Sequence, residues 1–205
     1  ILWQDKKRLN CMGDLLQFAR QEMANLYAIG LQIPVPTGAK FVDHGEVIDK
    51  KQQELWGSCT NQYSAGKMLT ELMVNGLLER DVKTFARGHE EGHATFYLGH
   101  LKSLKEIAEE LEVTLKFFTD DYCLKHDEAM KRFLIPGVGT NEDYNIAKCK
   151  PMYEREMIAH IGGLAALVNS PSAKKSIIEH VQHAICNGDI HAYPLAKAVK
   201  ITRRF

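Results

Sequence analysis

The stretch His89-Glu90-Glu91-Gly92-His93 constrains the fold of this chain more than any other. It spells HExxH. Four residues advance an α-helix by about 400°, so the two imidazoles leave one face, one turn apart. That spacing lets both rings reach a single tetrahedral divalent cation, with zinc the first choice. Glu90 falls on the neighbouring face and does not ligate. Its expected role is that of a general base, taking a proton from metal-activated water and passing it to a leaving amine. Gly92 and Ala94 are small, so a second element can approach closely. Glu91 departs from the usual pattern, in which that position is uncharged. The competing reading of the stretch is two exposed histidines on an acidic helix face.

The motif calls for a long helix. Asp81 is the expected N-cap, and the helix runs through Phe85, Phe96, Leu98 and Leu101, with a break near Lys102-Ser103 before Leu111. On a continuous helix His100 lies within about 20° of the face of His89. It is read as structural rather than ligating. Asp14 to Ile29 repeats apolar residues at helical spacing and stops at Gly30. Phe41 to Ile48 is the best strand, weakened by Asp43-His44-Gly45. Lys50 to Cys59 reads as a short helix or irregular. Gly66 to Leu78 reads as a helix on Met68, Leu69, Leu72, Met73 and Leu77. Val113 to Phe118 is a second possible strand and Asp120 to Phe133 a helix. Pro151 is placed at the start of a helix over Met152 to Val168. Further helices cover Ala173 to Cys186 and about Ala192 to Val199. The expected fold is α+β, mostly α, as one domain over residues 1–205.

Two histidines leave a cation half-bound, and a catalytic zinc takes a third protein ligand while keeping one position open. Two glutamates on later predicted helices qualify: Glu156, within Arg155-Glu156-Met157-Ile158-Ala159-His160-Ile161-Gly162-Gly163, and Glu128, within His126-Asp127-Glu128-Ala129-Met130. HExxH followed by a glutamate-bearing helix resembles the gluzincin clan of zinc metallopeptidases, which includes thermolysin. The Glu156 segment is similar to the third-ligand helix of the CAAX-type and heat-shock-type proteases of that clan. There the glutamate is followed three residues on by alanine, four on by an acid and soon after by glycines. Here His160 stands where the acid would be. Those relatives are embedded in membranes, and no span long enough for that occurs here. Glu128-Ala129 with Phe133 and Pro136 resembles instead the third-ligand segment of small soluble repressor-cleaving proteases.

The resemblance implies a zincin-like metallopeptidase domain with a small sheet beside the long metal-binding helix. It implies Zn2+ held by His89, His93 and a third ligand, with Glu156 preferred to Glu128 and Glu90 as the catalytic base. The implied reaction is hydrolysis of a peptide or protein substrate. It also implies a late Tyr or His at the oxyanion, for which His180, His183, His191 and Tyr193 are candidates. An upstream edge strand, within roughly residues 31 to 50, would hold the substrate backbone extended.

Two other classes compete. Glu90-x-x-His93 is also the pattern of ferritin-like di-iron bundles, and Glu22 resembles their first-helix glutamate. The late Glu179-His180-Val181-Gln182-His183 misses the second Glu-x-x-His by one residue. Leu104 to Thr114 resembles the start of a helix-turn-helix, but the following segment lacks the basic residues that meet phosphates. Composition excludes more. With 26 basic and 26 acidic residues the formal net charge is zero, and a nucleic-acid binder needs a basic excess on one face. The five cysteines are odd in number and show no CxxC pair, which points to a reducing, cytoplasmic compartment. The opening residues lack the pattern of a signal peptide. The longest apolar run, Ile158 to Val168, is interrupted by His160 and is too short to cross a bilayer.

Overall fold

A computed structural model describes residues 2–28, 33–48, 56–111 and 146–186. In chain order these form α1 (Leu2–Ala28), β1 (Ala39–Val47), β2 (Gly57–Ser64), β3 (Lys67–Asn75), α2 (Arg80–Tyr97), α3 (Leu104–Glu110), α4 (Ile146–Asn169) and α5 (Lys175–Cys186). The architecture is α+β and mostly helical, with one three-stranded sheet in the order β1-β3-β2. β3 runs parallel to β1 and antiparallel to β2. No helix among the described residues is long and apolar enough to cross a membrane.

α2 is the hinge of the packing, because it has two covered faces. Leu72 and Val74 of β3 bury against Ala86 and Ala94 on one side. On the other side Phe85 meets Ile158, Ile161 and Leu164 of α4, and this core continues through Leu15 and Met23 of α1 and Ile177, Val181 and Ile185 of α5. A helix covered on both faces has small side chains where partners come closest, and α2 has Gly88 and Gly92 facing α4. A methyl added at Gly92 would stand 2.9 Å from the Cα of Ala159, and one at Gly162 would stand 2.4 Å from the carbonyl oxygen of Gly88. Those distances are below any carbon contact, so the two helix backbones touch.

Several expected elements differ from those observed. The helix expected over Gly66 to Leu78 is strand β3. Its apolar residues fit both periods, but the buried set Thr70, Leu72 and Val74 follows the alternation of a strand. The deciding signal is Ala65-Gly66, whose φ values of 51° and 73° are those of a two-residue hairpin turn. β2 therefore includes Gly57 to Cys59, expected as helical or irregular. In β1 the doubtful Asp43-His44-Gly45 is a bulge: one extra residue lies between Asp43 and Glu46, with Gly45 at φ 66°.

Asp81 is not the N-cap of α2. Glu79 occupies that position, and Asp81 is buried in the first turn, where its carboxylate accepts from the backbone N–H of Lys174, at the entry to α5. A negative charge there suits the positive end of α5. α2 also stops at Tyr97, followed by Gly99 at φ 75°, so His100 is not on the helix; its ring meets the carbonyl of Pro34. A fresh start follows, where Ser103 and Glu106 form a reciprocal cap on α3. α4 begins at Ile146, which places Pro151 inside it rather than at its start. The expected strand over 113–118, the helices over 120–133 and 192–199, and Glu128, His191 and Tyr193 lie outside the described residues.

Candidate metal centre

α2 and α4 each present two ligating side chains one turn apart: His89 and His93 on the first, Glu156 and His160 on the second. The glycine contacts that let the backbones touch also bring His89, Glu156 and His160 together, with His93 against Glu156. Glu156 stands between the two histidines. Its Oε2 lies 3.6 Å from His89 Nε2, and its Oε1 lies 3.4 Å from His93 Nε2. Ligands about 2.0–2.1 Å from a tetrahedral zinc are themselves about 3.4 Å apart, so each separation, taken to its own carboxylate oxygen, is compatible with a pair of neighbouring ligands. Among the described residues the group whose ligand atoms all lie within 4.8 Å of one another is His89, Glu156 and His160; His93 stands outside it, against the other oxygen of Glu156. The chemistry of this donor set, imidazoles with one carboxylate, suits zinc or another first-row divalent ion.

Electrostatics agree with that geometry. Burial, with the neighbouring His160 and His93 adding to it, holds His89 well below its ordinary pKa, so the ring is neutral and keeps a lone pair. Burial alone would raise the carboxyl of Glu156. Its interactions with the surrounding imidazoles of His93, His89 and His160 outweigh burial and bring Glu156 to about 2. The His89 and His93 rings are edge-on to one another at 4.8 Å, and His93 stacks on Tyr97 at 6.0 Å. The Nδ1 atoms of His89 and His93 are buried and have no hydrogen-bond partner among the described residues.

Glu90 lies beside this cluster rather than in it. Burial raises its carboxyl to about 7, with His93 lowering it and Glu156 raising it further. Its side chain presses on β2: a methyl at Gly57 would meet Glu90 Cγ at 2.8 Å and Oε1 at 3.0 Å. The upstream strand β1 reaches a different side of α2. There Asp43 accepts from Arg87, and Glu46 accepts from Lys83 at 2.8 Å. The sheet edge next to Glu90 is therefore β2, not the upstream strand expected from the sequence.

The same side explains Glu91. It is buried and accepts from Arg87 Nε at 2.5 Å, and nearby the Tyr27 hydroxyl of α1 donates to the carbonyl of Gly88 at 3.1 Å. The charge that looked out of pattern is the inner end of an Asp43–Arg87–Glu91 chain joining β1 and α2.

His160 is the residue whose place the sequence did not reveal. It was legible only as a histidine where an acid was expected, yet its position one turn after Glu156 could have marked it. His180 and His183 sit on α5, which packs on α4 and α1. The groups gathered at Glu156 are His89, His93 and His160, not these two. Glu22 is exposed on α1 and lines a small apolar pocket with Leu101 and Lys102, apart from the cluster. Compared with protein-family models, curated proteins and solved structures, the chain finds no match.

Proposed function

We propose that this chain is a zinc-dependent peptide hydrolase with a zincin-like centre, in which His89, His93 and Glu156 hold the cation and Glu90 is the general base. The observation that carries the reading is the Glu156 carboxylate set 3.4 and 3.6 Å from two helix-borne imidazoles, with a second, separately buried carboxyl alongside. When bound, such a cation lowers the pKa of a water to about 7 and polarises a carbonyl oxygen.

The two carboxylates have divided roles because their surroundings push them apart. Glu156 stays ionised among imidazoles, as a ligand must. Glu90, raised to about 7 by burial, exchanges a proton near neutrality, as a base that must also become an acid does. It takes the proton from the attacking water and returns it to the departing amine. The edge of β2 lies against Glu90, and its open backbone groups hold an extended substrate by strand addition. The outer positions of β2, including Gln62 to Ser64, are exposed and free to take it.

Glu90→Gln separates the roles. Zinc content measured by atomic absorption should stay near one per chain, while cleavage of an unstructured peptide mixture, followed by mass spectrometry, should fall by about 10²–10⁴-fold. Undiminished cleavage would remove Glu90 from the chemistry. Absence of zinc from both proteins after metal supplementation would remove the centre itself.

A further inference from the structure

The chemistry above uses three of the four ligating side chains that α2 and α4 bring together. We infer that His160 is a fourth protein ligand to the same cation, through Nε2, and that it takes the position an attacking water would need. This inference rests on the reading of the centre as a hydrolytic metal site. The chain then has a closed resting form, and His160 must withdraw before hydrolysis.

Proximity comes first. His160 lies with His89 and Glu156 in a group whose ligand atoms are all within 4.8 Å of one another. The second point is the tautomer. His160 Nδ1 lies 2.9 Å from the main-chain carbonyl oxygen of Glu156, one turn earlier. A carbonyl only accepts, so Nδ1 donates, and the nitrogen left to offer a lone pair to a cation is Nε2. That bond also fixes the ring orientation, as the outer hydrogen bond of a metal-bound histidine does. Third, two rings of α2 pack on it: Phe85 meets it edge-on at 5.7 Å, and His89 meets it at 4.9 Å and 73°. His160 is 5% exposed, so water has little access to it.

The pairing of the helices supports the count. Two i,i+4 pairs on touching helices supply four donors, three imidazoles and one carboxylate. Four protein donors make the closed tetrahedral shell of a non-catalytic zinc site, whereas three leave room for water. His160 is thus the difference between a site that stores the ion and one that uses it.

X-ray absorption at the zinc edge of the full chain, loaded with one equivalent of zinc, counts the imidazoles. Three are expected in the wild type and two in His160→Ala. The variant should bind zinc at least about tenfold more weakly and cleave an unstructured peptide faster than the wild type. Two imidazoles in the wild type that remain two in His160→Ala, with zinc retained, would overturn the inference and leave the hydrolase reading standing. A protein that binds no zinc would overturn both. Three imidazoles with a folded variant no faster than the wild type would overturn the closing role of His160. Should His160→Ala not fold, the wild-type count and the same measurements on His160→Gln decide.

Discussion

Asp43 and Glu91 compete for one guanidinium, and the outcome differs at its two ends. Asp43 is lowered because Arg87 donates to it, with burial opposing. Glu91 is raised because burial outweighs the same guanidinium. An acid lowered on folding adds stability above its unfolded pKa and loses it as pH falls through the folded value. The Asp43 contribution is therefore present at neutral pH and disappears below about pH 4, the ordinary aspartate range. Asp43→Asn should flatten the acid limb of a plot of urea midpoint against pH, with little change at low pH. The pair is partly exposed, so the effect is modest. Arg87→Ala should cost more, about 1–3 kcal/mol by urea denaturation, because it strands the buried Glu91. Equal losses for the two variants would deny Glu91 its dependence on Arg87. At this scale the sequence displayed HExxH plainly, since spacing within one helix is local. It could not display the Asp43 end of the Arg87 chain, because Asp43 is remote from α2 in the sequence.

The α2–α4 contact decides whether the ligands meet. Gly162 allows Gly88 to pass with no side chain between them, so an added methyl meets a backbone oxygen that cannot rotate away. Gly162→Ala must separate the helices. The expected cost is about 1–3 kcal/mol, and the separation also moves Glu156 and His160 away from His89 and His93. Zinc affinity, measured by competition with a chromogenic chelator, should fall along with stability. A variant destabilised but unchanged in zinc affinity would show that the ligand spacing does not depend on this contact.

Element-scale features were unevenly legible. The helix carrying His89 was readable because its apolar face repeats at one period. β3 was not, because Met68, Leu69, Leu72 and Met73 fit a helix as well as a strand, and only the Ala65-Gly66 turn tells them apart. Asp81 looked like a cap because of its type and place. Its partner, the entry to α5, lies far along the chain.

In the whole molecule the ligand cluster lies where α2, which packs on the sheet, meets α4, which packs on α1 and α5. A cation bound there is held by the folded chain only, so it stabilises the fold by mass action. At a free zinc concentration of 100 times Kd the gain is about 2.7 kcal/mol, or a rise in midpoint temperature of about 5–10 °C for a chain of this size. Zinc-loaded protein should melt higher by that amount in differential scanning calorimetry, and a chelator should reverse it. Glu156→Ala should abolish most of the zinc-dependent shift, since it removes the carboxylate that both histidines face. Glu128→Ala should keep it. The two variants share a sequence-level rationale, a glutamate on a helix after HExxH, and differ in that Glu156 stands among the histidines. Comparing each variant with and without zinc cancels whatever the substitution does to the metal-free fold. A larger loss of shift in Glu128→Ala than in Glu156→Ala would transfer the third ligand to the other segment, and α4 would then be packing for the centre rather than part of it.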